Sequence, residues 1–380
     1  MTQKRIRAVF MRGGTSNGLI FHASDLPPAG PGRDRLLLAA MGSPDPNMRQ
    51  LDGMGGGISS LSKICIVGPS SHPDADVDYT FGQVGVDVAV VDYGGNCGNM
   101  SSAIGPFAVE EGLVDAPGDG KAVVRIHNTN TGKLITASFP VKDGLPAIAG
   151  DLMLDGVAGS FAPIRLDFLA PGGSKTGKLL PSGNATDMIE LSDLGTIEVS
   201  LVDAANPLVF VDAGSLGLTG TEMPDQIGGD HILMGRLEFI RRQASVMMGL
   251  TDSPEAAAQL ISIPKIAVLS VAQAAVTLSG QRIARQDADI TARALSVGQP
   301  HKAIPLTGAL CLASAIRVPG TIAARLTDGR VTDTIRIAHP SGTISVDATA
   351  DTIDGQISIR HATVLRSARR LFEGNVCIPE

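Results

Sequence analysis

The chain has 380 residues, 43% of them hydrophobic, which is enough to bury a large core and suggests two domains or more. Aromatics are 3% with no tryptophan, and the net charge of −7 comes from interspersed acids and bases. Nucleic acid, which needs a basic stripe and rings to stack on bases, is therefore excluded as a partner. The sequence has no run of 18 apolar residues and no signal-like leader, so a cytoplasmic protein with no membrane partner is expected. Cys65, Cys97, Cys311 and Cys377 show no CxxC spacing, and the seven histidines no HxH or HExxH pattern, so neither disulfides nor a metal site is expected.

Residues 5–10 alternate like a strand, and 19–21 form another short apolar run. Between them stands MRGGTSNG (11–18), a loop whose glycines let its backbone approach something closely. A helix is expected over 34–41, and a strand over 62–67 in LSKICIV. Alternation puts Lys63 there on the face shared with Leu61 and Cys65, so its amine is either partly desolvated, which suits a general base, or snorkels to the surface. Asp74, Asp76 and Asp78 resemble the start of a calcium loop, but Tyr79 stands where the turn glycine belongs, so a solvated loop is the better reading. Strands are expected next at 77–84 and 86–93.

The stretch YGGNCGNMSSAIG (93–105) leads into a helix expected over 100–111. Gly94, Gly95 and Gly98 allow a sharp turn, and Asn96 and Asn99 can cap. Cys97 falls at the helix mouth, where the positive dipole end and unpaired N–H groups favour an anion, either a thiolate or a substrate carboxylate. The alternative is a small buried cysteine with only a packing role.

Strands are expected at 122–127 and 134–141, then a loop GGSKTGK (172–178) that fits GxxxxGK. Leu179 stands where a phosphate loop needs Ser or Thr, and Pro181 blocks a following helix, so Ser174, Lys175 and Thr176 are read as a carboxylate-binding loop instead. The turn-rich segment 181–187 is the expected domain boundary. Beyond it come strands at 197–202, 208–213 and 266–269, helices at 230–248, 253–261 and 308–316, strands at 343–348 and 356–360, and a helix at 364–372. His301 lies just ahead of the 308–316 helix and is either a site residue or an ordinary loop histidine.

Residues 81–113 and 292–322 look like distant copies of one unit, a strand, a Gly-containing turn and a small-residue helix. Matching Ser102-Ala103-Ile104 with Ser314-Ala315-Ile316 sets Gly95-Asn96 opposite Thr307-Gly308, and Cys97 opposite Ala309 rather than Cys311. Helices this rich in Ala, Ser and Gly can be wrapped closely by a curved sheet.

In chain order, MRGGTSNG, MGSPDPNMRQLDGMGGG, SSLSKICIV, DYGGNCGN, GGSKTGKLLPSGN, NPLVFVDA, TGALC and HATVLRSARRLFEGNVCIP resemble the PrpF family. The resemblance implies an α+β, diaminopimelate-epimerase-like fold: two pseudo-equivalent β-barrel-like domains, each wrapped around a central helix, with the active site in the cleft between them. On that basis the first domain is assigned to 1–185, with 369–380 returning to it, and the second to 186–368. The family consists of cofactor-independent isomerases, including 2-methylaconitate cis-trans isomerase, methylitaconate delta-isomerase and 4-oxalomesaconate tautomerase.

For this chain the resemblance implies a 1,3-proton shift on a small unsaturated di- or tricarboxylic acid, with no cofactor and no metal; the sequence does not fix the oligomeric state, a homodimer being one of the options. The family's catalytic lysine and cysteine correspond to Lys63 and Cys97. Arg12, Thr15, Ser16, Asn17, Asn96, Gly98, Asn99, Ser174, Lys175, His301, Thr307 and Gly308 are the candidate substrate-binding residues. The first motif reads RGGTSKG in relatives, and Asn17 replaces its lysine here. Two other readings remain at this point: an amino-acid epimerase or racemase using Cys97 and Cys311, and a non-catalytic metabolite-binding protein.

Overall fold

A computed structural model describes residues 2–327, 331, 334–353 and 356–379. The chain is a mixed α+β protein, mostly sheet, that divides into two compact units: Met1–Asp167 with Leu365–Glu380, and Phe168–Val364. The 181–187 segment, where sequence placed the boundary, lies inside the second unit. The chain just ahead of it is tied there, Gly173 N–H donating to the Asp203 carbonyl and Asp203 N–H to that of Leu179. Among the described residues no helix is long and apolar enough to cross a membrane.

In the first unit the strands are β1 (Gln3–Gly13), β2 (Ser16–His22), β3 (Lys63–Pro69), β4 (Val77–Val84), β5 (Val91–Asp92), β6 (Gly120–Asn128) and β7 (Lys133–Lys142), with helices α1 (Pro31–Met41) and α2 (Gly98–Glu110). β1 runs antiparallel to β2 and to the C-terminal strand Ala368–Pro379; β2 is parallel to β3, β3 antiparallel to β4, β4 parallel to β6, and β6 antiparallel to β7. α2 packs against β1, β2, β6, β7 and the C-terminal strand, and is buried from Gly98 through Val109. Its small residues permit this: a Cβ on Gly105 would stand 2.8 Å from the Phe139 ring. α1 covers other strand residues, placing Leu36, Leu37, Ala40 and Met41 with Ile6, Leu19, Ile64 and Val376. β3, with apolar neighbours on both faces, is buried from Lys63 through Gly68, as a continuous KICIV run requires.

In the second unit, strand Gly195–Ala204 pairs antiparallel with Asp187–Leu191 and Asn206–Asp212, and the latter runs parallel to Lys265–Val271. The ladder continues through Ile290–Ser296, Ile335–His339, Gly342–Ile353 and Gln356–Arg366. Helix Leu306–Ile316 is buried along its whole length against Gly195–Ala204, Asn206–Asp212 and Gly342–Ile353. Helix His231–Met247 sets Leu233, Leu237, Ile240 and Ala244 into a separate cluster with Val199, Val209 and Ile266.

Several expectations need correction. The helix read at 364–372 is strand: its residues complete Gln356–Arg366 and begin Ala368–Pro379, which pairs along the whole of β1. Of the strand read at 86–93 only Val91–Asp92 forms, because Val88 and Val90 face solvent instead of a core. The internal repeat is one helical turn out of register. The buried helices begin at Gly98 and Leu306, so the residue matching Cys97 at the mouth is Pro305, not Ala309.

Candidate functional site

Lys63 opens β3, paired with Gly18 on one side and Gln83 on the other. Its side chain is buried, with the residue 8% exposed. Nζ donates to Gln83 Oε1 at 2.8 Å and lies 5.1 Å from the Phe81 ring centroid. Gln83 Nε2 donates to the Ser59 and Ser62 carbonyls at 3.1 and 3.0 Å, which fixes the amide so that its oxygen faces the lysine.

The loop between β1 and β2 presses on both α2 and β3. A Cβ on Gly13 would meet the Asn99 carbonyl oxygen at 2.6 Å; one on Gly14, at φ +49°, would overlap the Asn99 side chain, and one on Gly18 would strike the Lys63 carbonyl. The close approach expected of MRGGTSNG is thus an approach to the protein's own helix mouth and lysine strand. Asn99 Nδ2 donates to Thr15 Oγ1 at 3.0 Å, while its Oδ1 accepts from Arg366 Nε at 3.2 Å. Arg12 pairs with Asn17 in the β1–β2 register and donates through Nη1 to the carbonyls of Gly14 and Ser367. Its guanidinium lies 4.4 Å from the Phe161 ring centroid. Burial, and next the charge of Arg369, lower its affinity for the proton. Among the described residues Arg12 Nη2 and Asn17 Oδ1 are buried without a hydrogen-bond partner, and Ser16 is buried beside them in the chain.

Cys97 is the N-cap of α2 and makes no side-chain cap, so the first-turn N–H groups are not covered by it. It is half-buried, between buried Asn96 and Gly98. Its carbonyl accepts from Ser101 and, at 3.4 Å, from Tyr79 Oη. Cys65, two residues on from Lys63, is fully buried, and burial pushes its thiol well above the ordinary range.

The second unit gathers its own cluster. Ser174 Oγ donates to Asp203 Oδ1 at 2.5 Å, and the Lys175 and Thr176 N–H groups donate to Asp203 Oδ2 at 2.8 and 2.7 Å. The donors read as awaiting an external carboxylate therefore already hold an internal one. Asn206, past the turn at Ala205 that follows Asp203, donates to Thr307 Oγ1 at 2.9 Å; Thr307 and Gly308 are buried in the first turn of helix Leu306–Ile316. His301 sits in a local turn, its Nδ1 accepting from Ala303 N–H. Cys311 is buried in the helix body, its thiol donating to the Val202 carbonyl and raised far above its usual range by burial. No His, Cys, Asp or Glu cluster suited to a metal occurs among the described residues. Sequence reasoning missed Gln83, Asp203 and Arg366, whose partners are set by strand register and not by local spacing.

The fold is that of the proline racemase and epimerase class. A hydroxyproline epimerase from Agrobacterium vitis superposes with a TM-score of 0.57 at 14% identity, covering 100% of this chain and 95% of that one. The chain belongs to the PrpF family, whose description, PrpF protein, matches residues 3–379. Its relatives include a 3-methylitaconate isomerase of Eubacterium barkeri, 44% identical over 99% of this chain and 98% of that protein. A 2-methyl-aconitate isomerase of Cupriavidus necator is 42% identical over 99% and 98%, and a 4-oxalomesaconate tautomerase of Pseudomonas putida 40% identical over 100% and 97%. The crystal structure of a methylitaconate-delta-isomerase superposes with a TM-score of 0.80 at 43% identity, covering 100% of this chain and 96% of that one.

Proposed function

We propose that this chain is a cofactor-independent isomerase that shifts a proton across a small unsaturated di- or tricarboxylic acid. The observation that carries the reading is the end-to-end identity of 40–44% with three relatives named as isomerases or tautomerases of such acids. In this reading each unit is a β-barrel-like domain around its buried helix, and the helix mouths supply donors for substrate carboxylates.

Lys63 takes a proton from the carbon next to a carboxylate or keto group. The electron pair left behind delocalises into that group as an enolate-like anion. A proton then returns, from the lysine or from the Cys97 thiol, to the far carbon of the allylic system for double-bond migration, or to the original carbon after bond rotation. Gln83 aims the amine. Such acid–base steps contribute about 10²–10⁴-fold, so the remaining acceleration falls to donors that hold the anion. Thr15, Ser16, Asn17, Asn99 and the N–H groups around Asn96 and Gly98 fill that role.

Proton NMR in deuterium oxide tests the reading with aconitate, methylaconitate, methylitaconate and oxalomesaconate. The wild-type protein is expected to exchange and isomerise at least one acid, and Lys63→Met to lose both by about 10²-fold or more. Binding without exchange would instead identify a metabolite-binding protein. Cys97→Ser is expected to be slow and Cys311→Ser near normal, since the Cys311 thiol is buried on a backbone carbonyl. Equal loss in both, with epimerisation of an amino acid, would favour the two-thiol racemase.

A further inference from the structure

Two arginines flank one residue of the first loop, and neither has an acidic partner among the described residues. Arg366, at the end of strand Gln356–Arg366, is 7% exposed. Its Nε donates to Asn99 Oδ1 and its Nη1 to the Leu365 carbonyl, while its Nη2 makes no hydrogen bond among the described residues. Its stem lies against Gly14, where an added Cβ would stand 3.1 Å from Arg366 Cδ. Arg12 reaches the same glycine, donating to its carbonyl at 2.9 Å and leaving Nη2 buried and without a partner among the described residues. The Ser367 hydroxyl is also buried and unsatisfied.

Buried Arg241 has Glu238 and half-buried Arg370 has Glu110 and Glu111, whereas buried Arg293 is held by the carbonyls of Glu222 and Ala292; Arg366 has one backbone carbonyl and one amide oxygen. Burial alone pushes Arg366 down to about 9, so the folded protein holds this charge at a cost that an anion would relieve. Asn99, in the first turn of α2, ties Arg366 to Thr15 and brings the cations to the end of a helix that itself favours negative charge. Guanidinium groups suit carboxylates because their donors match both oxygens.

We infer that Arg366 and Arg12 receive a carboxylate of the substrate, one remote from the reacting carbon, and so select polycarboxylates over monocarboxylates. This rests on the isomerase reading for the identity of the anion.

The test uses the full-length protein, its Arg366→Met and Arg366→Lys variants, and tricarballylate, a saturated tricarboxylate that cannot be isomerised. Without ligand, Arg366→Met is expected to melt at or above the wild-type temperature, because it removes an uncompensated charge. Its affinity for tricarballylate by calorimetry should fall about 10- to 100-fold, and KM for the isomerised acid should rise more than kcat falls, with Arg366→Lys recovering part of both. A lowered melting temperature with unchanged KM, or wild-type affinity in Arg366→Met, would overturn the assignment while wild-type proton exchange kept the isomerase reading intact. A wild-type protein that neither binds tricarballylate nor exchanges a proton into any acid of the panel would sink both.

Discussion

Gln83 shows how a single side chain sets the chemistry of its neighbour. Its amide nitrogen is claimed by the carbonyls of Ser59, Ser62 and, at 3.4 Å, Val84, so its oxygen has one direction left, toward the Lys63 amine. It therefore aims the amine without adding a charge beside it. Asn17 stands in β2, in register with Arg12, its buried Oδ1 without a partner among the described residues. Because amide oxygen and nitrogen exchange by a simple flip, this side chain can present either a donor or an acceptor, whereas a lysine there would present a fixed cation. Asn17→Lys is expected to change the ratio of kcat/KM between tricarboxylates and dicarboxylates by about tenfold, with a smaller effect on kcat. Unchanged ratios across the acid panel would place specificity elsewhere. At this scale sequence reading reaches far when the signal is local: the Gly and Asn residues around Cys97 foretell a helix mouth, while alternation in LSKICIV leaves Lys63 either desolvated or snorkelling, and the structure buries it. It misses Gln83 and Asp203, whose partners stand 20 and 29 residues away in the chain.

Among the elements, the β1–β2 loop and α2 meet too closely to admit a side chain between them. Gly14 combines a left-handed backbone with a neighbour, Asn99, that occupies the place of a side chain. Gly14→Ala is expected to cost about 1–3 kcal/mol, read by urea unfolding, and to lower activity further by displacing Asn99 from Thr15 and Arg366. Wild-type stability in that variant would mean that the loop and helix are less closely held than this geometry requires. The segment LRSARRLFEGNV illustrates the opposite limit of legibility. Leu, Arg and Ala favour a helix locally, yet the chain runs as strand, because pairing with all of β1 and burial of Val376 and Ile378 outweigh a weak propensity. Reading it as helix hid Arg366, which projects from the strand end onto the loop. The slipped repeat has a similar cause: Ser-Ala-Ile recurs in both buried helices, but small residues fit such a helix at any turn, so they do not fix its start.

At the scale of the molecule, the first unit is built from segments far apart in the chain, and an ion network closes it. Glu111, just past α2, takes Arg7 of β1 and His22 of β2 on Oε2 at 2.8 Å each, and Arg370 of the C-terminal strand on Oε1 at 2.9 Å. Glu110 takes the same arginine at 2.8 Å. Burial pushes the Glu111 carboxyl up, but hydrogen bonds from His22 and Arg370 outweigh it and hold the group below the ordinary carboxylate range. A depressed value in the folded state means that the unfolded chain binds the proton more readily. The network's contribution is then complete above the ordinary glutamate value, about 4.3, and is lost as pH falls through the lower value of the folded protein. The carboxylates of Asp76 and Asp78, held down against burial by Arg125 and by Ser71 and His127, have the same sign and add to the acid limb. Glu111→Gln removes the titrating group while keeping much of its shape, so it is expected to melt below wild type at pH 7, with the gap narrowing as pH falls below about 4. Melting curves of both proteins from about pH 7 to about pH 3 check this. A gap that stays constant with pH would mean that Glu111 acts by packing and hydrogen bonding alone, and that the closure of the unit does not depend on its charge.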